Sequence, residues 1–111
     1  MCFKIVPTPE FVKQAKKLSK KYPNLRQDLT YLHDILQGNP KLGANLGDNC
    51  YKIRLQNTSV KKGKSGGFRV IIFLLEEDKI IRLLAIYSKS EKDSMRDEEI
   101  KKVLKKNNLI Q

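Results

Sequence analysis

The 111-residue chain has little of what metal, redox or membrane chemistry requires. It holds one histidine, His33, and two cysteines, Cys2 and Cys50, which stand far apart without ligand spacing. A zinc-type site would lack ligands, so no metal and no other cofactor is expected. With no export signal alongside them, the two thiols are expected to stay reduced in the cytoplasm. The longest apolar run, Val70 to Leu75, is far short of the roughly 18 residues that cross a bilayer. Met1 to Phe11 holds two prolines, Lys4 and Glu10, and lacks the apolar stretch of roughly 7 to 15 residues that marks a signal peptide. No membrane partner is expected, and the location is expected to be cytoplasmic.

Acid is scarce as well. Lysine and arginine number 23 against 12 aspartates and glutamates, a formal net charge of +11, which points to polyanionic partners. With 40% hydrophobic residues the chain can bury one modest core, so a single domain over residues 1–111 is expected. Apolar residues alternate with the charged ones throughout, which favours a folded chain over a disordered one.

The pattern of residues predicts an α+β fold. Thr8 caps a helix with Pro9 at its first position, and Phe11, Ala15, Leu18 and Tyr22 recur at helical spacing. Asn24 and Gln27 resemble a capping box for a second helix, whose stripe of Leu25, Leu29, Leu32 and Leu36 ends before Gly38 and Pro40. The short Tyr-Pro-Asn break between them predicts a helical hairpin. Pro40 to Cys50 reads as a loop. Tyr51, Ile53 and Leu55 alternate with Lys52, Arg54 and Gln56, a half-buried strand that places Lys52 and Arg54 on one face. Phe68 to Leu75 and Ile80 to Tyr87 read as a central strand pair joined by the turn Glu76 to Lys79. Phe3 to Val6 adds a short edge strand, and Asp97 to Lys106 a short helix with Ile100, Val103 and Leu104 inward.

The cations are focused. Residues 51–72 hold Lys52, Arg54, Lys61, Lys62, Lys64 and Arg69 and no acid, while residues 1–23 hold six lysines and one acid. A one-signed cluster on strands and the loop between them can track a phosphate backbone. Tyr51, Phe68 and Tyr87 lie near these cations in sequence, to stack on bases or to fill the core. Several other motifs fail. Gly63-Lys64-Ser65 resembles the end of a P-loop, but Thr58 stands where that motif needs glycine, and a strand follows instead of a helix. His33 has no partner carboxylate or nucleophile at a recognisable spacing. Glu76, Glu77 and Asp78 fall in a turn, where acids are ordinarily solvated.

What remains is a set of cations and hydroxyls: Lys52, Arg54, Arg69, Tyr87, Lys89 and Lys92. Cleaving RNA through its own 2′-hydroxyl needs a base, an acid for the leaving oxygen, and positive charge around the developing phosphorane. Cations supply the charge, and a lysine beside other cations can supply the base. The same residues also suit a basic binding face with no chemistry.

The strings YKIRL, KKGKSGGFRVIIFL and LLAIYSKSEKDSM, in that order behind a Pro-Lys-Leu-Gly loop, resemble the RelE/HigB branch of the RelE/ParE toxin superfamily. The resemblance implies a helical hairpin on a small, curved, mostly antiparallel sheet, in the order β-α-α-β-β-β, with a short C-terminal helix. It also implies a type II toxin that enters the ribosomal A site, cuts mRNA there without a metal, and is blocked by a cognate antitoxin. Carried over by motif, Lys52 and Arg54 match the two cations that serve in proton transfer and phosphate contact. Arg69 matches the arginine that stabilises charge on the cleaved phosphate. Lys89 and Lys92 lie in the basic segment after the last strand, and Lys61, Lys62 and Lys64 resemble the loop that holds ribosomal RNA. Some relatives carry a catalytic tyrosine where this chain has Met95 and Arg96. With Tyr87 the substitute at the strand end, the identity of the base stays open. Two rivals remain: a ParE-like toxin that binds DNA gyrase, and a catalytically silent module that binds RNA or only its antitoxin.

Overall fold

Strand β1 (Lys4–Pro7) runs into Thr8, whose hydroxyl accepts a hydrogen bond from the Phe11 amide at 3.2 Å and so starts helix α1 (Pro9–Lys21). Pro9 at the first helical turn has no amide to leave unsatisfied there, Glu10 sits at the positive end of the helix, and Lys20 and Lys21 sit at the negative end. Helix α2 (Leu25–Gly38) follows after three residues. Then come β2 (Ala44–Gly47), β3 (Cys50–Leu55), β4 (Phe68–Leu75), β5 (Ile80–Ser88) and α3 (Asp97–Lys106). This computed structural model describes residues 2–60 and 66–111.

The five strands form one open sheet in the order β1-β5-β4-β3-β2, with β1 parallel to β5 and every other pair antiparallel. The fold is the expected α+β arrangement with one strand more. The segment Pro40 to Cys50, expected as a loop, contains β2, which pairs with β3 through a two-residue turn. Asp48 and Asn49 take positive φ values of 52° and 63° there, the conformation of a type I′ hairpin turn. Helix α2 differs from expectation in its cap. The Asn24 side chain makes no capping bond and donates instead to the Thr58 carbonyl at 3.1 Å.

The sheet separates two apolar clusters. On one face Ile53, Leu55, Phe68, Val70, Ile72 and Ile86 meet Phe11, Leu18, Leu25, Leu32 and Leu36 of the helical hairpin. On the other, Cys50, Ile71, Phe73, Leu84 and Ala85 meet Ile100, Val103 and Leu104 of α3. Strand β5 supplies both sides in succession because the β4–β5 register slips between Ile71 and Ile72, whose partners are Ala85 and Leu83. Leu84 is therefore the extra residue of a β-bulge.

Strand β1 reaches only as far as Leu83, which leaves the second half of β5 as a bare edge. Helix α1 covers it. The Ile86 amide donates to Gln14 Oε1 at 3.0 Å, and the Thr8 amide and hydroxyl both donate to the Leu83 carbonyl at 2.9 Å. The Ile86 amide is thereby withheld from pairing with another strand.

Candidate functional site

The cations of the central strands are brought together by register. Arg54 on β3 is directly opposite Arg69 on β4, and Arg69 is directly opposite Tyr87 on β5. Directly paired residues point to the same side of a sheet, so these three side chains form one row across three strands. Lys52 lies one step along on the same face, opposite Ile71, which in turn faces Ala85. The row occupies the part of this face next to the cluster that α3 covers.

Glycine makes the row possible at two points. Gly67 stands just before β4, where a Cβ would lie 2.5 Å from the Leu55 carbonyl oxygen, so only glycine lets β4 approach the end of β3. Gly43 has φ +97°, and a Cβ there would collide with the Lys52 carbonyl.

Burial grades the row from one side to the other. Arg54 is exposed and Lys52 half-buried, whereas Arg69 is 6% exposed and Tyr87 8%. The Arg69 guanidinium donates from Nη1 to the Phe68 carbonyl at 3.2 Å and has no carboxylate partner among the described residues. A buried guanidinium has five donors in a fixed fork, and one carbonyl leaves most of them available to an anion. The Tyr87 hydroxyl is buried with no hydrogen-bond partner among the described residues. Burial pushes its pKa up, and the nearby Met95 backbone and the charges of Arg69 and Lys92 offset this only in part. Met95 contributes by proximity, without hydrogen-bond geometry at the hydroxyl. At neutral pH Tyr87 is therefore a protonated donor that lacks an acceptor.

The two lysines beyond β5 differ. Lys92 lies close enough to Tyr87 to act on its ionisation, but its ammonium is paired with Glu99 Oε2 at 2.8 Å. Lys92, then the Arg96 backbone amide, hold the Glu99 carboxyl down at about 2. The Lys89 ammonium donates to the Asp93 carbonyl at 2.6 Å, and among the described residues no hydrogen bond or ion pair links it to the row. Lys61, Lys62 and Lys64 lie outside the described residues.

Both ends of that basic segment are nonetheless fixed. The Asp28 carboxylate, 3% exposed on α2, accepts from the Thr58 amide at 3.1 Å and from the Thr58 hydroxyl at 2.7 Å. The Ser59 hydroxyl accepts from the Asn24 amide at 2.9 Å. At the far end the Lys89 amide donates to the Gly67 carbonyl at 3.0 Å. Sequence reasoning missed Asp28 and Glu99. Asp28 left one signal, being an acid three residues after Leu25 on the apolar stripe of α2.

Chemically, the row can hold a phosphate between guanidiniums and offer a neutral hydroxyl to one of its oxygens. No group of three histidine, cysteine, aspartate or glutamate side chains among the described residues could hold a metal ion. No helix among them is long and apolar enough to cross a membrane.

Residues 3–110 match the family model described as the RelE toxin of the RelE/RelB toxin-antitoxin system. None of the curated proteins matches. The fold is similar to that of an arginine-to-alanine double mutant of Escherichia coli toxin RelE in the free state, with TM-score 0.63 and 16% identity over 96% of this chain and 98% of that one. It is also similar to a chain of the intact E. coli RelBE toxin-antitoxin complex, with TM-score 0.57 and 18% identity over 77% of this chain and 94% of that one.

Proposed function

The chain belongs to the RelE toxin family, and from that membership and the cationic row we propose that it cuts messenger RNA on the ribosome, in the A site, until a cognate antitoxin protein binds it. The observation that carries this reading is the Arg54–Arg69–Tyr87 register, which aligns a buried guanidinium lacking an anion with a hydroxyl lacking an acceptor. The antitoxin follows from the RelBE complex among the similar structures.

In the proposed reaction the 2′-oxygen of one nucleotide attacks the adjacent phosphorus, and the bond from phosphorus to the 5′-oxygen of the next nucleotide breaks. A 2′,3′-cyclic phosphate and a 5′-hydroxyl result, with one proton leaving the 2′-hydroxyl and one arriving on the leaving oxygen. Arg69 and Arg54 hold the phosphate oxygens as charge builds on them; guanidiniums do not release protons, so neither is the base. Tyr87, kept neutral by burial, suits the donor role toward the leaving oxygen or a phosphate oxygen. Lys52 is then the group left on this face to take the 2′-proton. The positive charge comes from side chains, so the reaction as proposed needs no metal. A site without a self-sufficient acid and base pair gains most from a message already positioned, which is what a ribosome supplies.

Primer extension on messages from cells briefly expressing the chain, beside translation extracts with and without ribosomes, tests this. Cuts at fixed codon positions that require ribosomes are expected, and intact messages during growth arrest would redirect the reading to another target such as gyrase. A catalytically silent binding module is the second reading. It is favoured by the Glu99 carboxylate on Lys92 and by Arg96 serving as the residue that starts α3. Tight ribosome binding without cutting would select it.

A further inference from the structure

The outer face of α1 carries charge that the row does not use. Lys13, Lys17 and Lys20 are exposed and have no acidic partner among the described residues. At about 100° per residue these three fall within roughly 60° of arc, spread over about 10.5 Å of helix. They lie opposite the side that buries Phe11 and Leu18. The one acid of the helix, Glu10, is held by the Asn107 side chain at 3.0 Å.

Solvation alone does not explain this face, because the fold solvates its other helices with mixed charge. Helix α3 opens with three acids ahead of its lysines, and α2 carries both signs. Like charges on one helix face repel and weaken the helix slightly, so a run of lysines without acids is an unfavourable way to stay soluble. The face is also continuous with the site. A cavity of about 340 Å³ beside the end of β5 is lined by Lys17 and Lys21 from α1 and by Tyr87 and Lys92 from the row side. The Glu91 carboxylate is among them, neutralising Lys21 at 2.8 Å and leaving Lys17 unpaired among the described residues.

We infer that this lysine face of α1 is a second RNA-docking surface, which takes the phosphate backbone of duplex RNA while the message lies along the row. A helix holds its ammonium groups at fixed spacing, which suits the regular phosphates of a duplex. Docking a flexible single strand would call for aromatic platforms as well, and both aromatic residues at this helix, Phe11 and Tyr22, are buried. Ribosomal RNA is the source of that duplex, a point that rests on the ribosome-directed reading above, whereas the surface itself does not.

The test compares the full chain with its Lys13→Gln, Lys17→Gln, Lys20→Gln triple variant and with Arg69→Met. Binding to a short RNA hairpin and to an unpaired RNA of equal length is read by anisotropy across a salt series, and binding to ribosomes by sedimentation. The triple variant is expected to bind both the hairpin and ribosomes about tenfold or more weakly, with a salt slope shallower by about 2 to 3. Its thermal midpoint and its cutting rate at saturating ribosomes should match the parent, and Arg69→Met should show the reverse, intact duplex binding with cutting lost. Unchanged hairpin affinity and salt slope in the triple variant would overturn the inference. So would a loss confined to the unpaired RNA, or a loss of antitoxin affinity with RNA affinity intact. If the parent binds the hairpin through α1 but never engages ribosomes, the ribosomal reading fails and the duplex-binding surface stands.

Discussion

Phe68 and Arg69 are consecutive residues on opposite faces of β4, and those faces are built by different rules. Phe68 is fully buried against the helical hairpin and meets Tyr22 edge to face, with ring centroids 5.3 Å apart. Arg69 is almost as buried, yet among the described residues the one hydrogen bond of its side chain is to the Phe68 carbonyl. The hairpin face is apolar but for Ser88, which meets the Tyr22 hydroxyl, and supplies stability. The other face is divided, with α3 completing an apolar half and the remainder holding a cation without its counter-charge. Taking an ion out of water unpaired is unfavourable by several kcal/mol, so the second face leans on the surplus of the first.

Breaking the stabilising face should have the largest effect. Phe68→Ala is expected to lose about 3 to 5 kcal/mol, a drop of well over 10 °C in thermal midpoint for a chain of this size, read by circular dichroism. A shift of only a few degrees would mean that the two faces do not differ as described. The neighbouring Arg69→Met should instead leave the midpoint unchanged or raised, because an unpaired buried charge is removed. Message cutting at saturating ribosomes should meanwhile fall about 10²- to 10³-fold. A midpoint that falls as far as that of Phe68→Ala would make Arg69 structural.

A finer contrast concerns how the two faces open. Cys50 lies under α3, and burial, with a smaller push from Asp48, raises its thiol to about 11, while Cys2 is exposed. Near pH 8 a thiol reagent should label Cys2 promptly and Cys50 slowly. Leu104→Ala, which loosens α3, should speed Cys50 labelling while the hairpin-face signals persist. Equal labelling rates in the parent would contradict the burial of that face. The smallest effect belongs to the rim. The Glu99 carboxyl is depressed to about 2 from an ordinary 4.5, so its favourable pairing with Lys92 is complete above about pH 4.5 and is lost as pH falls through about 2. A carboxyl titration by NMR should place the Glu99 midpoint near 2, and a midpoint near 4.5 would remove the Lys92 pairing.

Much of this was legible because local chemistry and tertiary packing agreed. Thr8 with Pro9, the leucine stripe of α2, the alternation from Tyr51 to Gln56 and the acids opening α3 each announced their element, and each formed. The Lys52 and Arg54 face could be read from a period of two. That Arg54, Arg69 and Tyr87 share one row could not, because register between strands is a long-range property that no single segment encodes. Strand β2 escaped for another reason. Its four residues pair on one side only and lack alternation, so Asp48 and Asn49 read as loop when they are the turn of a hairpin. Asn24 carried a capping signature, but tertiary contact with Thr58 claimed its side chain. Tyr22, which helical spacing placed in the core, proved also to order the end of β5, sharing a hydrogen bond with Ser88 at 3.4 Å.

The bulge at Leu84 makes the site depend on how many residues β5 has as well as on which they are. Removing Leu84 itself would restore simple alternation and leave Tyr87 opposite Arg69, because β5 holds one residue more there than its pairing with β4 uses. Removing Ile86 with the bulge kept would carry Tyr87 into the hairpin core and set Ser88 opposite Arg69. In that second case every side chain from Tyr87 on would keep its chemistry and change its side. In relatives that drift in sequence at these positions, a one-residue insertion or deletion between the bulge and Tyr87 would therefore disarm the row, whereas loss of the bulge residue would not. The spacing from bulge to tyrosine is then a reading frame for the active face, and it can be scored by length alone.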